Sequence, residues 1–125
     1  MKKVLFIGIQ RMFLEILVRN IQKRSRKKIS EVFLANNPNE AITIAKGHPD
    51  ISVVFFMGYL ATARAGEEFQ ACIGVAEELG KTLNKGVTMI AATGNKAIDA
   101  ELLKHHCQIA IAGEQIIPWI TENIS

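Results

Sequence analysis

The groups that could bring chemistry to this chain are few and scattered. His105-His106-Cys107 is a dense run of metal-ligating residue types. Adjacent residues at a helix end point apart, and no fourth ligand stands at a suitable spacing, so no metal site is expected. His48, His105 and His106 lie near turns without a motif that would mark a phospho-histidine. Cys72 and Cys107 are too far apart for a CxxC pair, and Cys72 falls on an apolar helical stripe that predicts a small core residue. Such sparing cysteine use fits a reducing compartment and predicts a cytoplasmic protein. Gly8-Ile9-Gln10 does not make GxGxxG, and Thr93-Gly94-Asn95-Lys96 lacks the GxxxxGK of a phosphate loop. Ser, His and Asp are too dispersed to nominate a hydrolytic triad. One candidate ligand site is left. Gln10, Arg11, Asn95 and Lys96 can meet at one edge of the molecule beside two helix N-termini, an arrangement suited to a nucleotide or another small anion.

Charge supplies a second candidate. The chain has 125 residues and a net charge of +3. Its first 28 residues hold nine Lys or Arg against one acid, a net +8, and the remaining 97 hold six against eleven, a net −5. Six of the ten residues 19–28 are basic. A solvated helix end accounts for such a cluster, since cations complement the C-terminal dipole. The same cluster can also attract an acidic protein, nucleic acid or an anionic surface. If Arg19, Lys23 and Arg26 or Lys27 share a helical face, they form a stripe about 10 Å long. An acidic protein partner is expected ahead of nucleic acid, because the net-negative remainder repels an extended polyanion.

These residues must be positioned by ordinary globular elements. Hydrophobic residues make up 49% and charged residues 22%, which excludes disorder, a collagen-like repeat or a disulfide scaffold. The most apolar run, residues 51–61, stops well short of the ~18 residues a membrane span needs, and no secretory leader pattern opens the chain. One domain over residues 1–125 is expected. Residues 3–7 read as a strand covered on both faces, and Phe13, Leu14, Leu17, Val18 and Ile21 then recur at helical spacing. Residues 31–35 predict a second strand, after which Asn37-Pro38-Asn39-Glu40 has an N-cap, a proline at the first helical position and a glutamate three residues past the cap. That helix is expected to bury Ala41, Ile42 and Ala45 and to end near Gly47. Residues 51–57 form the most hydrophobic and hence central strand. After a long connection, Phe69, Cys72, Ile73, Ala76, Leu79 and Leu83 mark a helix, with Gly86 as a stop before the strand of residues 87–92. Asn95 caps a helix expected to bury Ile98, Leu102 and Leu103. Residues 108–112 are the last strand, and Pro118 is expected to open a short final helix through Ile124. The strict alternation implies an α/β fold, a doubly wound five-stranded parallel sheet of flavodoxin-like order 2-1-3-4-5 in a three-layer sandwich.

Several stretches resemble the response-regulator receiver (CheY-like) superfamily over essentially the whole chain. They are Lys3-Val4-Leu5-Phe6-Ile7, Ala35-Asn36-Asn37 leading to Glu40-Ala41-Ile42, Pro49-Asp50-Ile51 entering the third strand, and Val87-Thr88-Met89-Ile90-Ala91-Ala92. The resemblance implies a pocket in which an acidic pair holds Mg²⁺ and an Asp takes a phosphoryl group. Here the acidic pair falls on Gly8 and Ile9, the phospho-acceptor on Phe55, the switch Ser/Thr on Ala91 and the lysine on Ala112 or Gly113. None of these side chains offers a metal an oxygen or neutralises a phosphoryl group. Asp50 aligns to the strand entrance, at the opposite end of the sheet. The resemblance therefore implies a degenerate pseudo-receiver without cofactor or metal, not an enzyme, that acts in signal transduction through protein–protein interaction independent of phosphorylation. The interaction surface is expected on the basic helix after the first strand (Arg19, Lys23, Arg26, Lys27), or on the fourth helix, fifth strand and fifth helix, where a short final helix leaves Ile116, Trp119 and Ile120 as candidates, at least two of which are expected to serve the core instead. A homodimer is a further candidate. So is an accessory role on nucleic acid through the basic helix, whose phosphate contacts would make binding salt-dependent. Residues 61–66 read as an insertion relative to the family, and long loops tend to be functional.

Overall fold

The strands form where the sequence places apolar side chains on both faces of the backbone. In the computed structural model, which describes residues 2–8, 12, 15–17, 19–20, 23, 29–57 and 68–123, the elements are β1 (Lys2–Ile7), β2 (Ile29–Ala35), α1 (Pro38–Gly47), β3 (Val53–Phe56), α2 (Glu68–Thr82), β4 (Thr88–Ala91), α3 (Lys96–His105), β5 (Ile109–Ala110), a 3₁₀ turn (Gly113–Gln115) and α4 (Ile116–Asn123). Between β1 and β2, Gly8 is a bend and the described residues 12, 15–17, 19–20 and 23 are helical. The putting together is as expected: five parallel strands in the order β2-β1-β3-β4-β5.

Register then sorts side chains into two layers. Val4 pairs with Val53 and Ile7 with Phe56, while Val53 pairs with Thr88 and Phe56 with Ala91. Alternation sends Leu5, Ile7, Val54, Phe56, Met89 and Ala91 into a core with Ala41 and Ala45 of α1, Cys72, Val75, Ala76 and Leu79 of α2, and Ile98 and Leu102 of α3. Val4, Phe6, Val53, Phe55 and Ile90 enter the opposite core, closed by Ile116 and Ile120 of α4 and flanked by Leu17 and Trp119. Three described helices thus cover one face, and α4 covers the other together with the helical residues after β1.

Local signals set the helix starts. Asn37 Oδ1 accepts from Glu40 N at 2.9 Å, and Asn37 Nδ2 donates to Glu40 Oε1 at 2.8 Å, with Pro38 at the first helical position. Replacing such a cap by alanine costs about 1 kcal/mol. Asn95 Oδ1 accepts from Ala97 N at 3.0 Å and Ile98 N at 3.2 Å, starting α3. Gly86 and Gly94 have φ of 96° and 77°, left-handed values that glycine adopts without strain, and so make the turns before β4 and before α3.

Four expectations need correction. Ile42 is only partly buried, and Ala41 and Ala45 are the buried residues of α1. Leu103 is not core but 43% exposed, because its neighbour Leu102, fully buried, takes the inward direction on α3. The final helix begins at Ile116, not Pro118. Pro118 is tolerated within the first turn, where a backbone N–H has no intrahelical acceptor to lose. Strand boundaries also differ: β2 starts two residues early, β3 and β4 are shorter than expected and β5 has two residues. The ladder nevertheless runs on, with Ser52 N donating to Lys3 O, Met57 N to Ile7 O, Gln108 N to Met89 O and Ile111 N to Ala91 O. The reading of residues 61–66 as an insertion lies outside the described residues.

Candidate functional site

The carboxyl ends of parallel strands are where an open α/β sheet gathers its loops. β1 runs into Gly8, whose φ of 79° turns the chain while its N–H donates to Ala35 O at 2.9 Å. Phe55 lies one residue before the end of β3 and is fully buried. Its ring stacks on Phe6 at 5.0 Å and 9°, and the ring of Trp119 meets it edge-on at 5.7 Å and 88°. Phe56, the last residue of β3, is 1% exposed and faces the other core. Ala91 ends β4, fully buried, and Ala112 and Gly113 follow β5 as exposed residues, Ala112 N donating to Gln115 Oε1 at 3.0 Å. Of these positions, Phe55 and Ala91 are buried in apolar packing, whereas Gly8 is half-buried and Ala112 and Gly113 are exposed. Ile9 lies outside the described residues.

The polar side chains at this edge are spent on local turns. Asn37 and Asn95 cap their own helices, as above. Thr93 Oγ1 donates to Asp99 Oδ1 at 2.7 Å and accepts from Asn95 N at 3.1 Å, while Thr93 N donates to the same Asp99 oxygen at 3.1 Å. The amino end of α3 thus already holds a carboxylate and a capping carboxamide, which competes with an external anion. Of the four anion-contact candidates, Lys96 is exposed at the start of α3 and Asn95 is committed as the cap, whereas Gln10 and Arg11 lie outside the described residues.

At the opposite end of the sheet Lys3 Nζ meets Asp50 Oδ2 at 2.9 Å and approaches His48 Nδ1 at 3.4 Å. The hydrogen bond from Lys3 holds the exposed Asp50 carboxyl below its usual range. A depressed carboxyl pKa makes the pair's contribution present above the ordinary Asp range and lost as pH falls through the folded value. Asp50 is thus a surface ion-pair partner at the strand entrance. Near it lies a feature no sequence motif signals: a cavity of about 410 Å³ lined by Ser52, Val53, Gly86, Thr88, Ile109, Trp119 and Asn123.

His106 and Cys107 diverge as expected: His106 Nε2 lies 3.7 Å from Glu77 Oε1, while Cys107 is buried in the core. The side chain of His105 lies outside those described. Burial, with smaller contributions from Asp99 and Cys72, pushes the Cys107 thiol up to about 12. The thiolate is the reactive form, so Cys107 is unreactive in the native state. A thiol reagent at pH 8 is expected to label neither Cys107 nor the 1%-exposed Cys72 until denaturant is added; native labelling of both within minutes would contradict this burial.

The interaction candidates divide. Ile116 and Ile120 are each 1% exposed and belong to the core, as expected for at least two of the three apolar candidates here, because α4 docks through this i, i+4 pair. Trp119 is partly buried beneath its contact with Phe55. Arg19 and Lys23 are exposed. Arg26 and Lys27 lie outside the described residues. Sequence reasoning missed Met12 and Ile16, which are 75% and 54% exposed beside them.

No protein-family model matches the chain, and no curated protein matches it. Solved structures do. The pilus assembly protein CpaE from Caulobacter crescentus CB15 superposes with a TM-score of 0.67 at 11% identity, over 96% of this chain and 97% of that one. A two-component transcriptional regulator AraC from Clostridium phytofermentans ISDg superposes with a TM-score of 0.62 at 16% identity, over 99% and 92%. The chain has a receiver-like α/β fold. Among the described residues no helix is long and apolar enough to cross a membrane.

Proposed function

We propose that this chain is a degenerate receiver-fold domain, a single unit over residues 1–125, that works as a phosphorylation-independent protein-interaction module in signal transduction and is not an enzyme. The observation that supports the reading is Phe55, which is fully buried with the rings of Phe6 and Trp119 against it, at the position the resemblance assigns to the phospho-acceptor. A hard divalent cation needs several oxygen ligands, and Gly8, Phe55 and Ala91 supply none from their side chains. Without that cation and a lysine, the charge of a transferring phosphoryl group has nothing to stabilise it. Information then has to pass through surface binding.

The structural neighbours support this class of role, one named for pilus assembly and the other for two-component transcriptional regulation. By analogy the module works on a protein partner, ahead of nucleic acid. Buried thiols at Cys72 and Cys107, neither in a disulfide, suit the cytoplasm. Incubation with acetyl phosphate and Mg²⁺ is expected to leave the intact mass and melting temperature unchanged. An acid-labile gain of one phosphate would overturn the proposal.

A further inference from the structure

Among the described residues three large hydrophobic side chains stand out as exposed, and two of them, Met12 and Ile16, belong to the helical residues after β1. Leu17 fixes which side of that helical segment faces inward, since it packs against the core of Phe6, Phe55 and Ile120. On an ideal helical wheel of 100° per residue, positions 12, 16, 19 and 23 fall within about 60° of arc, all about 100° or more from position 17. All four are exposed. Their spacing of 4, 3 and 4 residues is the alternation by which one helix seats another, and it spans about 16 Å. The stripe is polarised: its first half is apolar, with Met12 at 75% and Ile16 at 54% exposure, and its second half is cationic.

We infer that this stripe is a docking seam for an acidic amphipathic helix of a protein partner, which sets apolar residues on Met12 and Ile16 and carboxylates beside Arg19 and Lys23. The inference rests on the interaction-module reading and names its surface and the chemistry of the partner. Charge complementarity selects this occupant. A second copy pairing in parallel would set Arg19 and Lys23 against themselves, and an antiparallel copy would press those cations onto Met12 and Ile16. Nucleic acid would engage the cations and leave the exposed apolar pair without a role. An anionic membrane would be met by two apolar side chains, far fewer than the continuous apolar face of an interfacial helix. An acidic helix answers both halves of the stripe, with the apolar contacts giving affinity and the charges giving orientation and partner choice.

The test places a photo-crosslinking amino acid at Ile16 and, in a separate variant, at Leu103 on α3, in the full chain expressed in its native cells. The expected result is an adduct from position 16 to a protein segment with apolar residues three or four apart, followed by Asp or Glu. Binding of that identified segment is expected to weaken at least about fivefold in Lys23→Glu, to recover when an acid in the segment is changed to Lys, and to weaken with salt. Unchanged melting temperatures keep these variants interpretable. An adduct to lipid, to nucleic acid, to another copy of this chain or to a segment without acids would overturn the inference, as would unaltered binding in Lys23→Glu. Protein adducts from position 103 alone would overturn it and leave the module reading standing; no protein adduct from either position would count against both.

Discussion

Phe55→Asp is expected to destabilise the fold by about 5 kcal/mol, combining a lost core aromatic with a buried carboxyl. The side chain has no exposure to water, lies against Phe6 and Trp119, and shares its core with Val4, Val53 and Ile90. None of these groups carries a positive charge to neutralise a carboxylate, and Gly8 at the end of β1 contributes only backbone. For a domain of this size the melting temperature should fall by roughly 20 °C. Mg²⁺ should not restore it, since one carboxylate does not make a cation site. Phe55→Leu serves as the control, because keeping an apolar side chain of similar size costs only about 1 kcal/mol. Phe55→Asp with an unchanged melting temperature, or one raised by Mg²⁺, would mean that the region is open and wet.

Ile120→Ala is expected to cost about 3 kcal/mol, and the loss should be felt first in α4. A helix of eight residues does not hold itself together in water. It persists because Ile116 and Ile120, each 1% exposed, lock onto β1, β3 and β4, and because Trp119 reaches Phe55. Amide exchange in α4 should rise before that in the sheet. Fluorescence of Trp119, the single tryptophan, should shift to the red. Leu103→Ala, by contrast, should change stability by less than about 0.5 kcal/mol, since Leu103 is 43% exposed. Equal losses in the two variants would contradict the division of these residues between core and surface.

The order of elements, the parallel sheet and the cap residues Asn37 and Asn95 were legible in the residues alone. These features rest on local chemistry: alternation of strand and helix periods, a carboxamide able to satisfy free N–H groups, and a connectivity that permits few sheet orders. The lack of carboxylates at Gly8 and Phe55 was equally plain, because a missing functional group needs no fold to be missing. Periodicity, however, reports which residues share a face and not whether another element stands opposite it. Which two of Ile116, Trp119 and Ile120 serve the core was decided by the docking of α4 across the sheet, and Leu103 was left outside because Leu102 took the inward direction. Met12 and Ile16 stand outside the apolar stripe of Phe13, Leu14, Leu17, Val18 and Ile21, and their exposure with Arg19 and Lys23 is seen only once Leu17 packs against the core. Tertiary packing decided these points, because burial belongs to pairs of surfaces and one segment's sequence describes only its own.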